Sequence, residues 1–301
     1  MKKKFQKILG LILLTSLCLT LSLSSIATIS EEDGTWLRRY DKDGTESLVF
    51  VPNTDSLILD SQIENNIIEE GSITPNTIIG ADNRTKVTTT TISPYYAIVF
   101  IRIKYQGSTT YDWVGTGFMI SPNVVLTAGH CIFDEDNRAV SDIKVYPGKN
   151  GTYEPLSAGY QTYYLDTRYT DQSQFDHDYG IIVLDSNIGN TTGWFDLYVP
   201  STSVLSNKSI TITGYPQDKT GSDLYTMWTA TGTTNTPSTY QFQCNVDIVP
   251  GQSGSPVYFY DNSYKALGIL ISETSTHNNC WRMSQSLYDW LENMGYINWH
   301  E

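Results

Sequence analysis

Residues 249–258 read VPGQSGSPVY, a loop of small side chains around Ser253 that runs straight into an apolar Pro-Val-Tyr segment. Gly, Ser and Pro are the commonest turn formers, so a tight turn accounts for this composition on its own. A nucleophile accounts for it too, because the backbone N–H groups beside an attacking oxygen must stay open to a substrate oxyanion. The choice between the two readings decides how the chain folds. It is made by residues far from this loop.

A serine nucleophile needs a base, and that base is overwhelmingly histidine. The chain has four: His130, His177, His277 and His300. His300 is the penultimate residue, His277 lies in the polar run STHNN, and His177 sits in FDHDY. His130 differs, because NVVLTAGHC is an apolar strand running into a small-residue turn that presents the imidazole at a strand end. A structural histidine would also fit there. The base wants a buried carboxylate on its second ring nitrogen, which sets the tautomer and stabilises the imidazolium. Asp178 opens DYGIIVL, an acid at the mouth of an apolar strand; Asp176 competes, but lies farther into the polar loop DQSQFD. The chain order is then His130, Asp178, Ser253.

The segments LTAGHC, DYGIIVL and GQSGSPV, in that order, resemble the chymotrypsin-fold serine peptidases. More closely, the chain resembles the secreted V8-like glutamyl endopeptidases of Gram-positive bacteria. IIGADNRTKV, ISPYYAIVFI, NIGNTTGW and ITGYPQDK also match that family's pattern, so the likeness covers nearly all of residues 77–301. It implies an all-β fold of two six-stranded antiparallel β-barrels, with the active groups in the cleft between them. It also implies a Ser-His-Asp triad working through an acyl-enzyme. His130 would be general base and acid, Asp178 its orienting carboxylate and Ser253 the nucleophile, with Gly251 N–H and Ser253 N–H forming the oxyanion hole. Gln252 is uncharged, so it cannot pair with a freed N-terminal amine as the acid at that position does in the digestive relatives.

Two departures bear on specificity and cross-linking. Glutamyl endopeptidases recognise the substrate carboxylate with a histidine in the strand after the nucleophile, where ALGILIS places Leu270. Asp247, Ile248, Leu270 and His277 are the pocket candidates. Cleavage after glutamate, a shift to another residue, and an inactive homologue that only binds partners remain open alternatives. The cysteine that relatives pair with the one after the catalytic histidine is replaced by Gly115. That leaves Cys131 free and Cys244 with Cys280 as the expected disulfide.

The rest of the sequence agrees with a secreted β-protein. Short runs rich in β-branched and aromatic residues, such as AIVFIRIKY, YGIIVL and SITITGY, are bounded by Gly, Pro, Asn and Asp. Helical periodicity is convincing only at the end, where Met283, Leu287, Trp290, Leu291 and Met294 share a face and Gly295 would stop the helix. Lys2, Lys3, Lys4 and Lys7, an apolar run and a small-residue end predict a signal peptide over 1–27. The run is too short and too broken to span a membrane. The acidic stretch 28–76 shows little periodicity and reads as a propeptide, with a disordered acidic arm as the alternative. A peptidase domain over 77–301 would follow its removal by an activating protease. The net charge of −13 and pI near 4.6 argue against nucleic acid, which demands a basic face. No His/Cys cluster has zinc spacing, so no metal or cofactor is expected. The expected partners are protein or peptide substrates, acted on by a monomer.

Overall fold

The structure, a computed structural model, describes residues 33–55, 78–79, 81–111, 113–133, 138–235 and 237–297. The expected signal peptide and the Thr77 start lie outside these. Within the acidic stretch, where the sequence shows little periodicity, the structure has two strands. β1 (Gly34–Asp41) and β2 (Glu46–Pro52) form an antiparallel hairpin, in register from Gly34↔Pro52 to Tyr40↔Glu46. Only Leu37 and Val51 of this hairpin are fully buried, so the period-two signal is submerged among charged neighbours.

After a short β3 (Thr85–Lys86) come the six strands of the first barrel. They are β4 (Ile98–Tyr105), β5 (Trp113–Ser121), β6 (Val124–Thr127), β7 (Val140–Pro147), β8 (Ala158–Asp166) and β9 (Gly180–Leu184). Neighbours run β7-β4-β5-β6-β9, and pairing of β8 with both β7 and β9 closes the ring. Closure explains the composition: every residue of β6 and β9 is buried, so both read as continuous apolar runs rather than alternating ones.

A second closed barrel follows a two-residue strand, β10 (Asp196–Leu197), which lies parallel to β15. Its members are β11 (Ser209–Gly214), β12 (Trp228–Asn235), β13 (Gln241–Cys244), β14 (Pro256–Asp261), β15 (Ser263–Glu273) and β16 (Asn278–Arg282). The ring runs β15-β14-β11-β12-β13-β16 and closes by pairing of β15 with β16, while β3 adds to the edge of β12. Asn262, with φ of 58°, makes the tight turn from β14 to β15. Two antiparallel six-stranded barrels is the architecture that the sequence implies.

Helices are short: α1 (Thr167–Gln172), α2 (Gly189–Thr192), α3 (Thr202–Leu205) and the terminal α4 (Gln285–Asn293). The Ser284 hydroxyl caps α4 by accepting from Leu287 N–H at 3.2 Å, and Gly295 leaves it with φ of 68°. Leu287, Trp290 and Leu291 are buried, the Trp290 ring edge-on to Tyr164 at 5.2 Å. Met294, expected on that face, is exposed because it lies beyond the last turn. No helix among the described residues is long and apolar enough to cross a membrane. Cys131, Cys244 and Cys280 are all buried free thiols, so the expected bridge is not closed; the Cys244 and Cys280 sulfurs lie 3.7 Å apart.

Candidate active site

His130 is delivered by the end of β6. The chain leaves that strand at Thr127 and makes one tight turn, Gly129–Cys131, which projects the imidazole from the barrel rim. Asp178 arrives from the neighbouring strand, just before β9, which pairs with β6 from Val124↔Val183 to Thr127↔Gly180. Adjacent strand ends therefore bring together residues 48 apart in sequence. The Asp178 Oδ1 accepts the backbone N–H of His130 at 2.8 Å, and its Oδ2 meets the ring Nδ1 at 2.6 Å. A side chain on Gly129 would put its Cβ 2.9 Å from Asp178 Oδ1, so the glycine makes room for the carboxylate.

The electrostatics follow from this contact. Burial by itself disfavours the imidazolium, but the Asp178 charge and hydrogen bond, with a contribution from Cys131, outweigh it. The His130 pKa stands well above its usual 6.5. Asp178 keeps 4% of its side-chain surface, whereas His130 keeps 26%, so the ring faces the cleft and the acid does not. Asp176 makes no such contact, and burial alone raises its carboxyl. His177 turns away: its ring packs on Tyr240 at 4.7 Å, and burial pushes its pKa down to about 4.

Ser253 lies just before the second barrel's β14, in a loop whose shape depends on Gly251 (φ 90°) and Gly254 (φ 86°). A Cβ on Gly254 would stand 1.9 Å from the Thr116 carbonyl oxygen. Within the loop, the Gln252 side chain folds inward and accepts Val249 N–H at 3.1 Å, a closing role that needs no charge. Thr116 of β5 anchors the loop across the lobes. Its N–H donates to Ser253 O at 3.0 Å and its hydroxyl donates to Gly251 O at 2.8 Å. The Cys131 thiol donates to the same Ser253 carbonyl at 3.3 Å, while Gly115 occupies the space against that sulfur. With the carbonyls so engaged, the Gly251 and Ser253 N–H groups donate to no acceptor among the described residues. Nor does Ser253 Oγ bond the imidazole, a contact that commonly tightens only around substrate. Thr116 carried one sequence signal, a threonine in an apolar strand; its 0% exposure explains why it must find partners.

The pocket candidates scatter. Asp247 is buried and accepts from Ile79 N–H at 3.1 Å and Asn83 N–H at 2.9 Å, so it secures the segment that leads into β3. Ile248 and Leu270 belong to the second barrel's apolar core with Cys244 and Cys280. The Leu270 backbone holds the loop around Ser253, bonding Gly254 N–H at 2.8 Å and Ser255 O at 3.0 Å. His277 is tied to its own turn: Nδ1 meets the Thr276 hydroxyl at 2.9 Å, and the buried Nε2 has no partner. One residue escaped the sequence reading. Glu273, three positions beyond Leu270 at the end of β15, is buried, with its carboxyl raised by desolvation and lowered by the nearby His130.

Comparison with known families settles the wider context. The trypsin family model matches residues 86–290, which include all three of His130, Asp178 and Ser253. The chain belongs to the trypsin family. Within it, the chain is similar to the glutamyl endopeptidase of Bacillus licheniformis, at 41% identity over 62% of this chain and 56% of that protein. The extracellular metalloprotease of Bacillus subtilis is 35% identical over 76% of this chain and 72% of its own. A solved Glu endopeptidase superposes with a TM-score of 0.64 at 28% identity, over 73% of this chain and 100% of that one. This trypsin-family chain is a V8-like, chymotrypsin-fold serine endopeptidase. Among its described residues, no group of three or more His, Cys, Asp or Glu side chains is arranged to hold a metal ion.

Proposed function

We propose that the chain is exported, freed of residues 1–27 and cut near Thr77, and that it hydrolyses protein or peptide substrates as a monomer with His130, Asp178 and Ser253. Ser253 Oγ attacks the scissile carbonyl as His130 Nε2 takes its proton. The developing oxyanion is met by the N–H groups of Gly251 and Ser253, a term worth several kcal/mol in sites of this kind. His130 then protonates the leaving amine, and water admitted to the acyl-enzyme repeats the cycle. Asp178 holds Nδ1–H and stabilises the imidazolium. The observation that carries this reading is the two-point grip of Asp178 on His130, at 2.8 and 2.6 Å. A fluorophosphonate, which phosphonylates activated serines with loss of fluoride, tests it directly. Labelling should fall on Ser253 alone and vanish in Ser253→Ala and His130→Ala. Labelling of another serine, or turnover by folded Ser253→Ala, refutes the assignment.

The names of the homologues speak for cleavage after glutamate. A second reading, cleavage after a cationic residue, is favoured by Glu273, a buried acid that feels the charge of His130 and makes no salt bridge to a Lys or Arg among the described residues. A carboxylate so placed repels an acidic substrate side chain and attracts a basic one. Leu270 offers no donor in compensation. Profiling cleavage of a mixed peptide library by wild type and Glu273→Gln separates the two. Unchanged cutting after Glu in both supports the homologues' preference. Cutting after Lys or Arg that weakens in Glu273→Gln supports the second reading.

A further inference from the structure

The two N–H groups that would meet the oxyanion belong to the peptides Pro250–Gly251 and Gln252–Ser253, both trans. In a trans peptide the C=O and N–H point in opposite directions, so whatever holds the carbonyl also aims the N–H. Gln252 O accepts Ser255 N–H at 3.0 Å, a contact internal to the loop. Pro250 O is held from outside it, by Gln217 N–H at 2.9 Å. Gly251, at φ 90°, has no side chain to resist rotation of the peptides on either side, so the direction of its N–H depends on such partners.

The partners converge on one side chain. Thr116 is wholly buried, and its hydroxyl accepts Tyr215 N–H at 3.1 Å while donating to Gly251 O at 2.8 Å. An amide N–H only donates, so the hydroxyl proton is left to Gly251 O. This contact fixes the peptide after Gly251. The contact with Tyr215 fixes the start of the segment Tyr215–Gln217, whose far end grips Pro250 O and so fixes the peptide before Gly251. A Cβ on Gly251 would stand 2.5 Å from Gln217 Cγ and 2.6 Å from Tyr215 O, so the segment lies directly against the loop.

The same residue is tied to the strand that carries the base. Thr116 O accepts the hydroxyl of Thr127, the last residue of β6, at 2.7 Å, and Thr116 N–H donates to Ser253 O at 3.0 Å. Threonine or serine supplies a donor and an acceptor at this point; valine, of the same shape as threonine, supplies neither. With valine, Gly251 O and Tyr215 N–H would both lose a buried partner.

We propose that Thr116 is a positioning residue for the oxyanion hole, its hydroxyl presetting Gly251 N–H toward the cleft without touching the substrate. The inference rests on the reading above, in which Ser253 is the nucleophile and Gly251 N–H meets the oxyanion. Every contact it uses lies between Thr116 and Ser255, so a cut near Thr77 removes none of them.

Thr116→Val and Thr116→Ser, compared with wild type, are the test. One measurement is the rate at which a fluorophosphonate labels Ser253, since its phosphoryl oxygen takes the place of the oxyanion. The other is steady-state kinetics from pH 5 to 10 on a peptide drawn from the cleavage library. In Thr116→Val both the labelling rate and kcat should fall by about 10- to 100-fold, less than the roughly 10²–10³ lost when an oxyanion donor is deleted outright. The KM and the acid limb set by His130 should stay in place, because the oxyanion forms only in the transition state and the Asp178 contacts are untouched. Thr116→Ser should restore most of both rates. Wild-type rates in folded Thr116→Val overturn the proposal, even if its urea midpoint drops, since that result leaves Thr116 a packing role alone. A loss that serine does not restore, or one accompanied by a shifted acid limb, overturns it as well. If Thr116→Val is not secreted folded, Thr116→Ala takes its place with the same outcomes. Failure of the underlying reading shows in the wild type, as labelling away from Ser253, whereas failure of the positioning role shows only in the variants.

Discussion

Replacing Asp178 with Asn keeps the shape of the site and changes one hydrogen-bonding atom. The two contacts decide how the new amide must sit. His130 N–H, a donor that cannot change, occupies one oxygen at 2.8 Å, so the amide carbonyl has to remain there. The NH2 group then faces ring Nδ1, which the native carboxylate meets at 2.6 Å. Nδ1 becomes an acceptor and the ring proton moves to Nε2, where no lone pair is left to take the Ser253 proton. Restoring the working tautomer sets two donors against each other in a site only 4% exposed, and the imidazolium of the transition state loses its counter-charge. One hydrogen bond to a charged group is worth about 1.5–3 kcal/mol, and leaving a buried donor unpaired costs about 1–3 kcal/mol more. The sum is about 2.5–6 kcal/mol, or roughly two to four decades in kcat at 1.36 kcal/mol per decade. The upper end agrees with the ~10⁴ typical of this substitution in a triad. The acid limb of kcat/KM must move as well. In the wild type the Asp178 charge outweighs burial, which puts that limb above the usual 6.5. In the variant burial acts without the opposing charge, and the limb should fall to lower pH. Steady-state kinetics from pH 5 to 10, with circular dichroism to verify the fold, reads both effects. A loss under about tenfold, or an unmoved acid limb, refutes the argument. Asp176→Asn, whose carboxylate does not touch the imidazole, should leave kcat unchanged.

Gly254→Ala should prevent formation of the native nucleophile loop, because φ is 86° and the new Cβ would stand 1.9 Å from Thr116 O; absence of fluorophosphonate labelling in a secreted, soluble variant checks this. His177 is held neutral by burial with a pKa near 4, while the unfolded chain protonates near 6.5. The unfolded state therefore binds the extra proton between these values, and stability should decline as pH falls from about 6.5 to 4. This one group accounts for about 3 kcal/mol of that loss. Urea midpoints should show the slope, and His177→Phe should remove it. On export the Cys244 and Cys280 thiols, buried 3.7 Å apart, should oxidise to a bridge closing 36 residues and worth roughly 3–4 kcal/mol in the chain-entropy model. Non-reducing peptide maps that join Cys131 to either partner would contradict this.

Much of the architecture was legible in the chain itself. Closed antiparallel barrels need many short β-branched strands broken by turn residues, and those runs are local, so they can be read without knowing which strand meets which. The motifs around His130, Asp178 and Ser253 were legible for the same reason: each is a strand end or a glycine-shaped loop, set by a few adjacent residues. Gly254, for example, is demanded by its own φ and by one carbonyl. What local sequence could not express was pairing. Leu37 and Val51 are isolated apolar residues among charges, and nothing near them tells that the edge of β8, more than a hundred residues away, is open to receive a strand. Asp247 sits where a pocket acid would, but its carboxylate is claimed by the backbone of Ile79 and Asn83. Leu270 lies in a barrel core while its backbone holds the loop around Ser253. Glu273 became notable only when β15 carried it toward His130. In each case the deciding interaction joins groups distant in sequence. A side chain's direction and protonation depend on the partner that arrives, and only the closed fold supplies that partner.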